Sequence, residues 1–329
     1  MIEASVVICA YTLDRWDELV AAVASVRAQS RLPREILVVV DGNEDLRQRA
    51  ACEIESVTVV ANAKALGLSG ARMTGAELAT APVIAFLDDD AIADERWLEE
   101  LLDAYQDARV LGAGGHIEPL WRKTPPAWFP AEFNWVVGCT YEGMQVRDGQ
   151  IRNVIGANMS IRSDVLRSTG GFASKLGRRR ADGFRGGVAG SCEETEFCIR
   201  ATGLHPGGIW VYRPKARVRH IVSEQRMTWR YFVHRCRMEG NAKGVLADLL
   251  RAKNDLGPER RYALTVLSRA VLREIGSSFA GQRGAVSRAG AICAGLAITT
   301  AAYMRTRLAC AMVRDNAASA RNSTGTVAP

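Results

Sequence analysis

The first third of the chain alternates apolar runs of strand length with longer amphipathic stretches. An apolar run without a helical stripe indicates a buried strand, and apolar positions three or four residues apart indicate a helix. We predict strands over residues 4–10, 35–40, 57–60 and 83–87, and helices over 16–29, 68–79 and 97–105. Strands separated by helices of this length predict an α/β fold, a mostly parallel sheet with helices on both faces.

After residue 112 the pattern becomes irregular. Prolines and tryptophans crowd residues 112–140, which predicts an ordered loop with a rigid aromatic surface at 119–135. This surface is either a binding wall or a hydrophobic cluster beneath a long loop. Gly170-Gly171-Phe172 then predicts a turn, and the glycine- and arginine-rich residues 177–190 predict a mobile loop.

The C-terminal part carries helical patterns over residues 229–240, 242–253 and 259–279. A nearly uncharged stretch, 289–303, lies between arginines and is shorter than the ~20 residues that span a bilayer. It is either a buried helix or a helix in a membrane interface, with its flanking arginines toward phosphates. We predict that residues 315–329 are disordered.

The 329-residue chain is long enough for one large domain with an appendage, and 48% of it is hydrophobic. Its net charge is −7 over residues 1–200 and +14 over 201–329. The basic C-terminal part favours anionic partners such as phospholipid heads or a lipid-linked phosphate, and no nucleic-acid-binding motif accompanies the charge. Eight cysteines without a CxxC pair, and no apolar signal-type N-terminus, indicate reduced thiols in a cytosolic protein.

Three consecutive aspartates, Asp88, Asp89 and Asp90, end the predicted strand that begins at residue 83. Open α/β sheets bind ligands at the carboxyl ends of their strands. Carboxylates this close together can share a hard divalent cation, Mg²⁺ or Mn²⁺, that bridges to phosphates. The alternative interpretation of the three aspartates is an acidic turn whose charges are solvated. Because the chain has neither a GxGxxG turn nor a GxxxxGK[ST] loop, phosphate binding would rest on such a cation and on basic side chains.

Six short motifs follow one another between residues 4 and 225. They are residues 6–12 with Tyr11, Val40-Asp41-Gly42, Asn62 with residues 66–72, Phe86-Leu87-Asp88-Asp89-Asp90, Gly170-Gly171-Phe172, and Glu193-Glu194-Thr195-Glu196. In this order they resemble the family 2 glycosyltransferases, although the first motif lacks the usual proline and Glu194 stands where aspartate is common. The resemblance implies a GT-A type α/β fold with an α-helical C-terminal extension, and transfer from a nucleoside-diphosphate sugar.

The resemblance also implies roles for individual residues. Those expected at the nucleotide are Asp41, Arg72, Asp88 and Tyr11. Those expected to hold Mn²⁺ or Mg²⁺ are Asp88, Asp90 and His220, and the cation would stabilise the charge on the leaving nucleoside diphosphate. For His220, an ordinary core or surface histidine is the alternative.

An acceptor hydroxyl needs a base within hydrogen-bonding reach. The resemblance implies Glu194 for this role, with Glu193 as the second candidate, and aspartate and glutamate have similar intrinsic pKa values. One base opposite the leaving group implies inversion at the anomeric carbon. The alternative is that both glutamates simply stabilise a helix N-terminus.

Residues 119–135 and 235–243 resemble family members that glycosylate lipid-linked or secondary-metabolite acceptors, including glucuronosyl-transferring ones. Arg235 and Lys243 would then bind an acceptor phosphate or a sugar carboxylate, and solvated helix charges are the alternative. We expect a UDP-linked donor and an acceptor such as a polyprenyl-phosphate-linked glycan. We expect a cytoplasmic location, peripheral on the cytoplasmic face of the cell membrane.

We expect a catalytic domain over residues 1–225, a helical region over 226–314 that contacts the membrane or a second subunit, and a tail.

Two other functions remain open. A nucleotidyltransferase acting on a sugar phosphate normally has a glycine- and lysine-rich signature, which residues 10–15 lack. A non-catalytic nucleotide-sugar-binding scaffold would not need an intact Asp88 and Glu194.

Overall fold

The computed structural model describes residues 2–145, 147–173, 192–249 and 257–323, with side chains as far as residue 312. In this part of the chain nine strands form one sheet flanked by helices, which confirms the predicted α/β class. The strands are β1 (Ala4–Ala10), β2 (Glu35–Val40), β3 (Thr58–Ala61), β4 (Val83–Asp88), β5 (Ala91–Ala93), β6 (Val110–Trp121), β7 (Gly149–Ile151), β8 (Asn158–Arg162) and β9 (Ile209–Val222). The helices are α1 (Trp16–Arg27), α2 (Glu44–Glu53), α3 (Leu68–Leu78), α4 (Trp97–Asp103), α5 (Ser163–Thr169), α6 (Glu193–Leu204), α7 (Trp229–Leu249), α8 (Gly257–Arg261), α9 (Ser268–Phe279) and α10 (Ala285–Ser323).

The sheet is mixed, with the strand order β3-β2-β1-β4-β8-β6-β9-β5 and with β7 paired to β9. The first four strands are parallel, and their bounds agree with the predicted ones to within one residue. Continuous apolar runs identify them because helices cover both faces of a parallel sheet. β8 then runs antiparallel to β4 and to β6, whereas β6 and β9 are parallel.

The predicted loop over residues 112–140 is wrong in its first part, because β6 extends to Trp121 and pairs with β9 along its length. The glycines of β6 mark close packing between strands. A Cβ at Gly112 would overlap the ring of Trp210, and a Cβ at Gly115 would overlap a backbone carbonyl of β9. Glycine at these positions therefore lets β6 and β9 pack closely against each other.

The aromatic residues of this segment form a hydrophobic cluster with α7. Trp128 lies edge-on to Trp229 and Phe232, with ring centroids 5.1 and 5.5 Å apart, and Phe133 lies 5.2 Å from Phe232. Phe129, Phe133 and Phe232 are all buried. Of the two interpretations of residues 119–135, the geometry favours the hydrophobic cluster.

The C-terminal helices of the structure differ from the predicted ones in two places. Residues 229–249 form one helix, α7, where we predicted two, because Gly240 is a packing position: a Cβ there would overlap the backbone of α10 at Thr299. The predicted helix over 259–279 consists of α8, a π-helical segment at Tyr262–Leu267, and α9. α10 is much longer than the apolar stretch 289–303 that indicated it.

The C-terminal helices share a hydrophobic core with the sheet, since Phe232, Leu267 and Ile292 belong to the same buried cluster as β1 and β4. The backbone of α10 runs to Ser323, through part of the segment for which we predicted disorder. The rest of that segment, and the predicted mobile loop at 177–190, lie outside the described residues. The predicted domain limits stay predictions.

Asn158, at the start of β8, joins three elements through its side chain. Its carboxamide oxygen accepts a hydrogen bond from the Trp97 indole at 2.8 Å. Its amide nitrogen donates to the carbonyls of His116 and Ala216 at 3.0 and 2.8 Å. The residue is fully buried, so water cannot replace these partners. Asn158 thus fixes α4, β6 and β9 against β8, the strand next to β4.

We expect Asn158→Ala to lower the free energy of unfolding by about 2 kcal/mol or more, because it leaves three buried polar groups without partners. Urea titration of the variant and the wild type measures this difference. Gln48→Ala, at an exposed position of α2, should change the free energy by less than about 0.5 kcal/mol. Equal stability of Asn158→Ala and wild type would contradict the role of Asn158.

Candidate active site at the carboxyl edge of the sheet

The structure brings together Asp88, Asp90 and His220, the three residues predicted to hold a cation. Asp88 ends β4, Asp90 precedes β5, and His220 lies opposite Ala91 in the antiparallel pair of β5 with β9. One donor atom from each lies within 4.8 Å of the others. Two carboxylates and an imidazole are donors that Mn²⁺ accepts readily and Mg²⁺ tolerates, so the residues fit a divalent cation.

Asp90 is the most heavily paired of these residues. Its Oδ1 lies 3.1 Å from His220 Nε2, and its Oδ2 lies 3.1 Å from a guanidinium nitrogen of both Arg15 and Arg226. Burial alone would raise the pKa of Asp90, but His220, Arg226 and Arg15 hold the pKa well below its usual range. Asp90 is therefore a carboxylate at neutral pH.

Asp89 is in a different position from its neighbours. Its Oδ1 accepts from Arg15 at 2.8 Å, whereas its buried Oδ2 has no hydrogen-bond partner among the described residues. Burial raises the pKa of Asp89 to about 7, against the opposing effect of Arg15. Its side chain thus anchors Arg15 and does not share in the cluster of Asp88, Asp90 and His220.

The guanidinium of Arg72 is the centre of a second group of carboxylates. Its Nη1 lies 2.6 Å from Glu193 Oε1 and 2.9 Å from Glu194 Oε1, and its Nη2 lies 3.5 Å from Asp88 Oδ1. The Arg72 side chain is only 2% exposed, so these contacts are shielded from water. In the structure the Arg72 guanidinium contacts these three carboxylates, and its predicted contact with the nucleotide stays a prediction.

Glu193 and Glu194 occupy different environments in the first turn of α6. The Glu193 side chain is 4% exposed, with one oxygen on Arg72 and the other accepting from the Ser69 hydroxyl. The Glu194 side chain is 20% exposed and shares Arg72 through Oε1. Glu194 is therefore the glutamate of this pair that a substrate can approach.

Gly156 also belongs to the site, although no sequence pattern indicated it. A Cβ at this position would overlap both Glu194 Oε1 and the Arg72 guanidinium. Glycine lets the chain before β8 pass directly over this ion pair. An isolated glycine in a sequence does not reveal such a contact.

The predicted nucleotide residues Asp41 and Tyr11 lie at the same edge of the sheet, because β1, β2 and β4 are parallel. The buried Asp41 carboxylate accepts from Asn62 Nδ2 at 2.6 Å and from the Gly67 amide at 3.0 Å. Tyr11 follows β1, and its side chain is 40% exposed with the Arg15 guanidinium 5.3 Å from the ring centroid.

Arg235 and Lys243 are not solvated helix charges, so that alternative is wrong. Arg235 is buried, and its Nε donates to the Val136 carbonyl at 3.3 Å. Lys243 Nζ lies 3.2 Å from Glu239 and 2.9 Å from Glu259 Oε1, and Arg152 contacts the same Glu259 oxygen at 2.8 Å. These charges connect α7 and α8 to the segment after β7.

Comparison with known proteins identifies relatives of this chain. The sequence profile of glycosyl transferase family 2 matches residues 5–170. A glucosyl-dolichyl phosphate glucuronosyltransferase of Haloferax volcanii is 36% identical over 250 residues, 75% of this chain and 77% of the relative. The succinoglycan biosynthesis protein ExoM of Rhizobium meliloti is 28% identical over 253 residues, 73% of each protein.

The crystal structure of GalNAc-T7, solved with UDP, GalNAc and Mn²⁺, aligns with a TM-score of 0.52 at 18% identity, over 75% of this chain and half of that one. At this identity the likeness shows the fold, which is of the predicted GT-A type. The profile covers half of the chain, and the Haloferax relative is similar over three quarters of it. The chain therefore belongs to glycosyl transferase family 2 and is a glycosyltransferase enzyme.

Proposed function

We propose that this enzyme transfers a sugar from a UDP-linked donor to a hydroxyl of a lipid-linked acceptor, with inversion at the anomeric carbon. The observation that carries the proposal is the pair of contacts at Arg72. One guanidinium contacts Glu194 on one side and Asp88 on the other. A candidate base thus lies beside the residues that would hold the donor's cation.

Glu194 is the proposed base. A hydroxyl becomes a good nucleophile when a carboxylate within about 3 Å takes its proton. Glu193 is unsuited because Ser69 and Arg72 engage both of its oxygens in a buried position. Glu194 is more exposed, and it shares the Arg72 guanidinium with Asp88. Arg72 is in this proposal a positioning residue.

Asp88, Asp90 and His220 would hold the cation, for which we propose Mn²⁺. When bound, the cation would stabilise the negative charge of the leaving diphosphate. Asp41 and Tyr11 stand at the ends of β2 and β1, where the nucleotide base would lie. Asn62 and the Gly67 amide fix the Asp41 carboxylate for that contact.

The lipid-linked acceptor is proposed from the Haloferax relative, whose name includes a dolichyl phosphate, and from the C-terminal helices. α9 presents Leu272, Ile275 and Phe279 on one exposed face, and Phe279 is 89% exposed. Among the described residues, Ala285–Met312 of α10 is long and apolar enough to cross a membrane, and 28% of its most apolar window is buried in the protein. We propose that these helices dock peripherally on an anionic bilayer.

Our first functional prediction concerns the cation. Asp90→Asn should abolish Mn²⁺ binding and transfer, because it removes one of the two carboxylate ligands of the cluster. Release of UDP from UDP-sugars, with a membrane lipid extract as acceptor and with or without EDTA, measures this. Asp94→Asn, an exposed aspartate in the same segment, is the control and should behave as wild type. Full activity of Asp90→Asn, or activity that survives EDTA, would refute the metal site.

A second prediction separates the two glutamates. Glu194→Gln should bind the nucleotide sugar normally and lose transfer by roughly 10²–10⁴-fold, because it keeps the shape and removes the proton acceptor. Glu193→Gln should instead lower the free energy of unfolding by about 3 kcal/mol, since it breaks a buried ion pair. Rate and urea measurements on both variants test this. A stable, inactive Glu193→Gln with an active Glu194→Gln would reverse the assignment.

The third prediction concerns membrane docking. The full chain should float with anionic liposomes at low salt, and Leu272→Gln with Phe279→Gln should lower the bound fraction roughly tenfold or more, because both side chains lose an apolar contact with lipid. Leu32→Gln, at an apolar position that is equally exposed on the catalytic part, is the control. If the double variant floats as wild type does, α9 is not the docking face.

A further inference from the structure

The backbone of Cys192, the residue directly before the two glutamates of α6, has an unusual conformation. Its φ is +70°, in the left-handed region, and it is one of two non-glycine residues with positive φ in the described part of the chain. A side chain at such a φ crowds the backbone, so the conformation persists only where the surroundings hold it. Because Glu194 is two residues further on, the conformation of Cys192 decides where this glutamate lies.

Cys192 is the N-cap residue of α6, but its side chain does not cap the helix. Its carbonyl accepts from the Glu196 amide at 3.0 Å, whereas its thiol makes no capping bond to the first turn of the described helix. An N-cap residue usually has an extended backbone, and its side-chain oxygen accepts from the amides of that turn. Capping therefore does not account for the conformation of Cys192.

Helix α7 holds the Cys192 side chain. The thiol donates to Glu239 Oε1 at 3.6 Å, and the side chain packs in a buried cluster with Ala242 and Leu246. Ala242 and Leu246 lie three and seven positions after Glu239, so all three are on one face of α7. Cys192 is thus fixed by a hydrogen bond and by packing against the same helix.

An ion-pair network fixes the Glu239 carboxylate in turn. Lys243 Nζ lies 3.2 Å from Glu239 Oε1, the oxygen that accepts from the thiol, and 2.9 Å from Glu259 Oε1. Arg152 also contacts Glu259, and none of these four side chains is more than 26% exposed. Two cations and two carboxylates in one mostly buried group balance each other, so Glu239 has a defined position against Cys192.

We propose that Glu239 is a positioning residue for the catalytic base. With the apolar face of α7 it holds Cys192 in the left-handed conformation, and so it keeps Glu194 beside Arg72. This inference rests on the proposed function, in which Glu194 takes the proton of the acceptor hydroxyl. A change of Cys192 to negative φ would alter the direction in which the chain enters α6 and move Glu194 away from Arg72. Helix α7 thus supports catalysis as well as joining the docking helices to the sheet.

The kinetic test measures UDP release from a UDP-sugar with a membrane lipid extract as acceptor, and the Kd of UDP at saturating Mn²⁺ by calorimetry. For Glu239→Ala we expect kcat to fall roughly fivefold to thirtyfold, the factor that matches the cost of a left-handed residue. The Kd of UDP should change by less than about twofold, because Glu239 is remote from the proposed nucleotide residues. Glu239→Gln, whose amide oxygen still accepts from the thiol, should lose at most about threefold in kcat.

Glycine at position 192 separates positioning from general support of the fold. Glycine adopts positive φ without a steric cost, so it needs no partner on α7 to keep this conformation. Glu239→Ala combined with Cys192→Gly should therefore have a kcat at least about threefold higher than Glu239→Ala alone. If Glu239 only stabilises α7, the second substitution brings no recovery. A double variant with equal or lower kcat would overturn the proposal.

Asp248→Ala is the matched control, because Asp248 is another ion-paired carboxylate of α7. Its side chain is 22% exposed and lies 3.9 Å from Arg307. The substitution removes a carboxylate of similar exposure from the same helix, away from Cys192, and should change kcat by less than about twofold. A loss as large as that of Glu239→Ala would show that any weakening of α7 lowers the rate, which contradicts positioning through Cys192.

Crystal structures of wild type and Glu239→Ala test the geometry without reference to the rate. We expect Cys192 to have negative φ in the variant and Glu194 to lie beyond hydrogen-bonding distance of the Arg72 guanidinium. A variant that keeps both features of the wild type overturns the proposal. If Glu194→Gln transfers as fast as wild type, the proposed function fails instead, and the two structures still decide whether α7 positions Glu194.

Discussion

The site depends on one buried guanidinium, that of Arg72. A buried arginine is tolerated when carboxylates surround it, and removal of one partner leaves an uncompensated charge in the protein interior. Here the partners come from distant parts of the chain: Asp88 at the end of β4, and Glu193 and Glu194 at the start of α6. The need to neutralise Arg72 fixes α6 against α3 and β4, and so it sets the position of the proposed base relative to the cation ligands.

A second set of charges surrounds Asp90 and complements the first. Arg15 and Arg226 share one Asp90 oxygen, and His220 contacts the other. Burial raises the pKa of Asp89 to about 7, while its Oδ1 stays paired with Arg15. Asp88 belongs to both groups, because it contacts Arg72 and also lies close to Asp90 and His220. Positive and negative groups are thus nearly balanced before any substrate enters, and a cation together with a diphosphate could be accepted without a large change in local charge.

The sequence predicted the parallel half of the sheet well, because helices bury those strands on both faces and leave continuous apolar runs. It failed where glycine serves packing: Gly115 lies inside β6, and Gly240 lies inside α7 against α10. It also missed α2, whose buried positions are few. Motif order identified the family, but the partners of Arg72 and Asp90 depend on contacts between distant segments that no local pattern encodes.

The central claim is that Asp88, Asp90 and His220 form the cation site next to the carboxylates on Arg72. Anomalous diffraction from crystals grown with Mn²⁺ and UDP tests it most directly. We expect one strong manganese peak bounded by the side chains of these three residues, with Arg72 still paired to Glu193. A peak located elsewhere, or a nucleotide bound away from this edge of the sheet, would contradict the account.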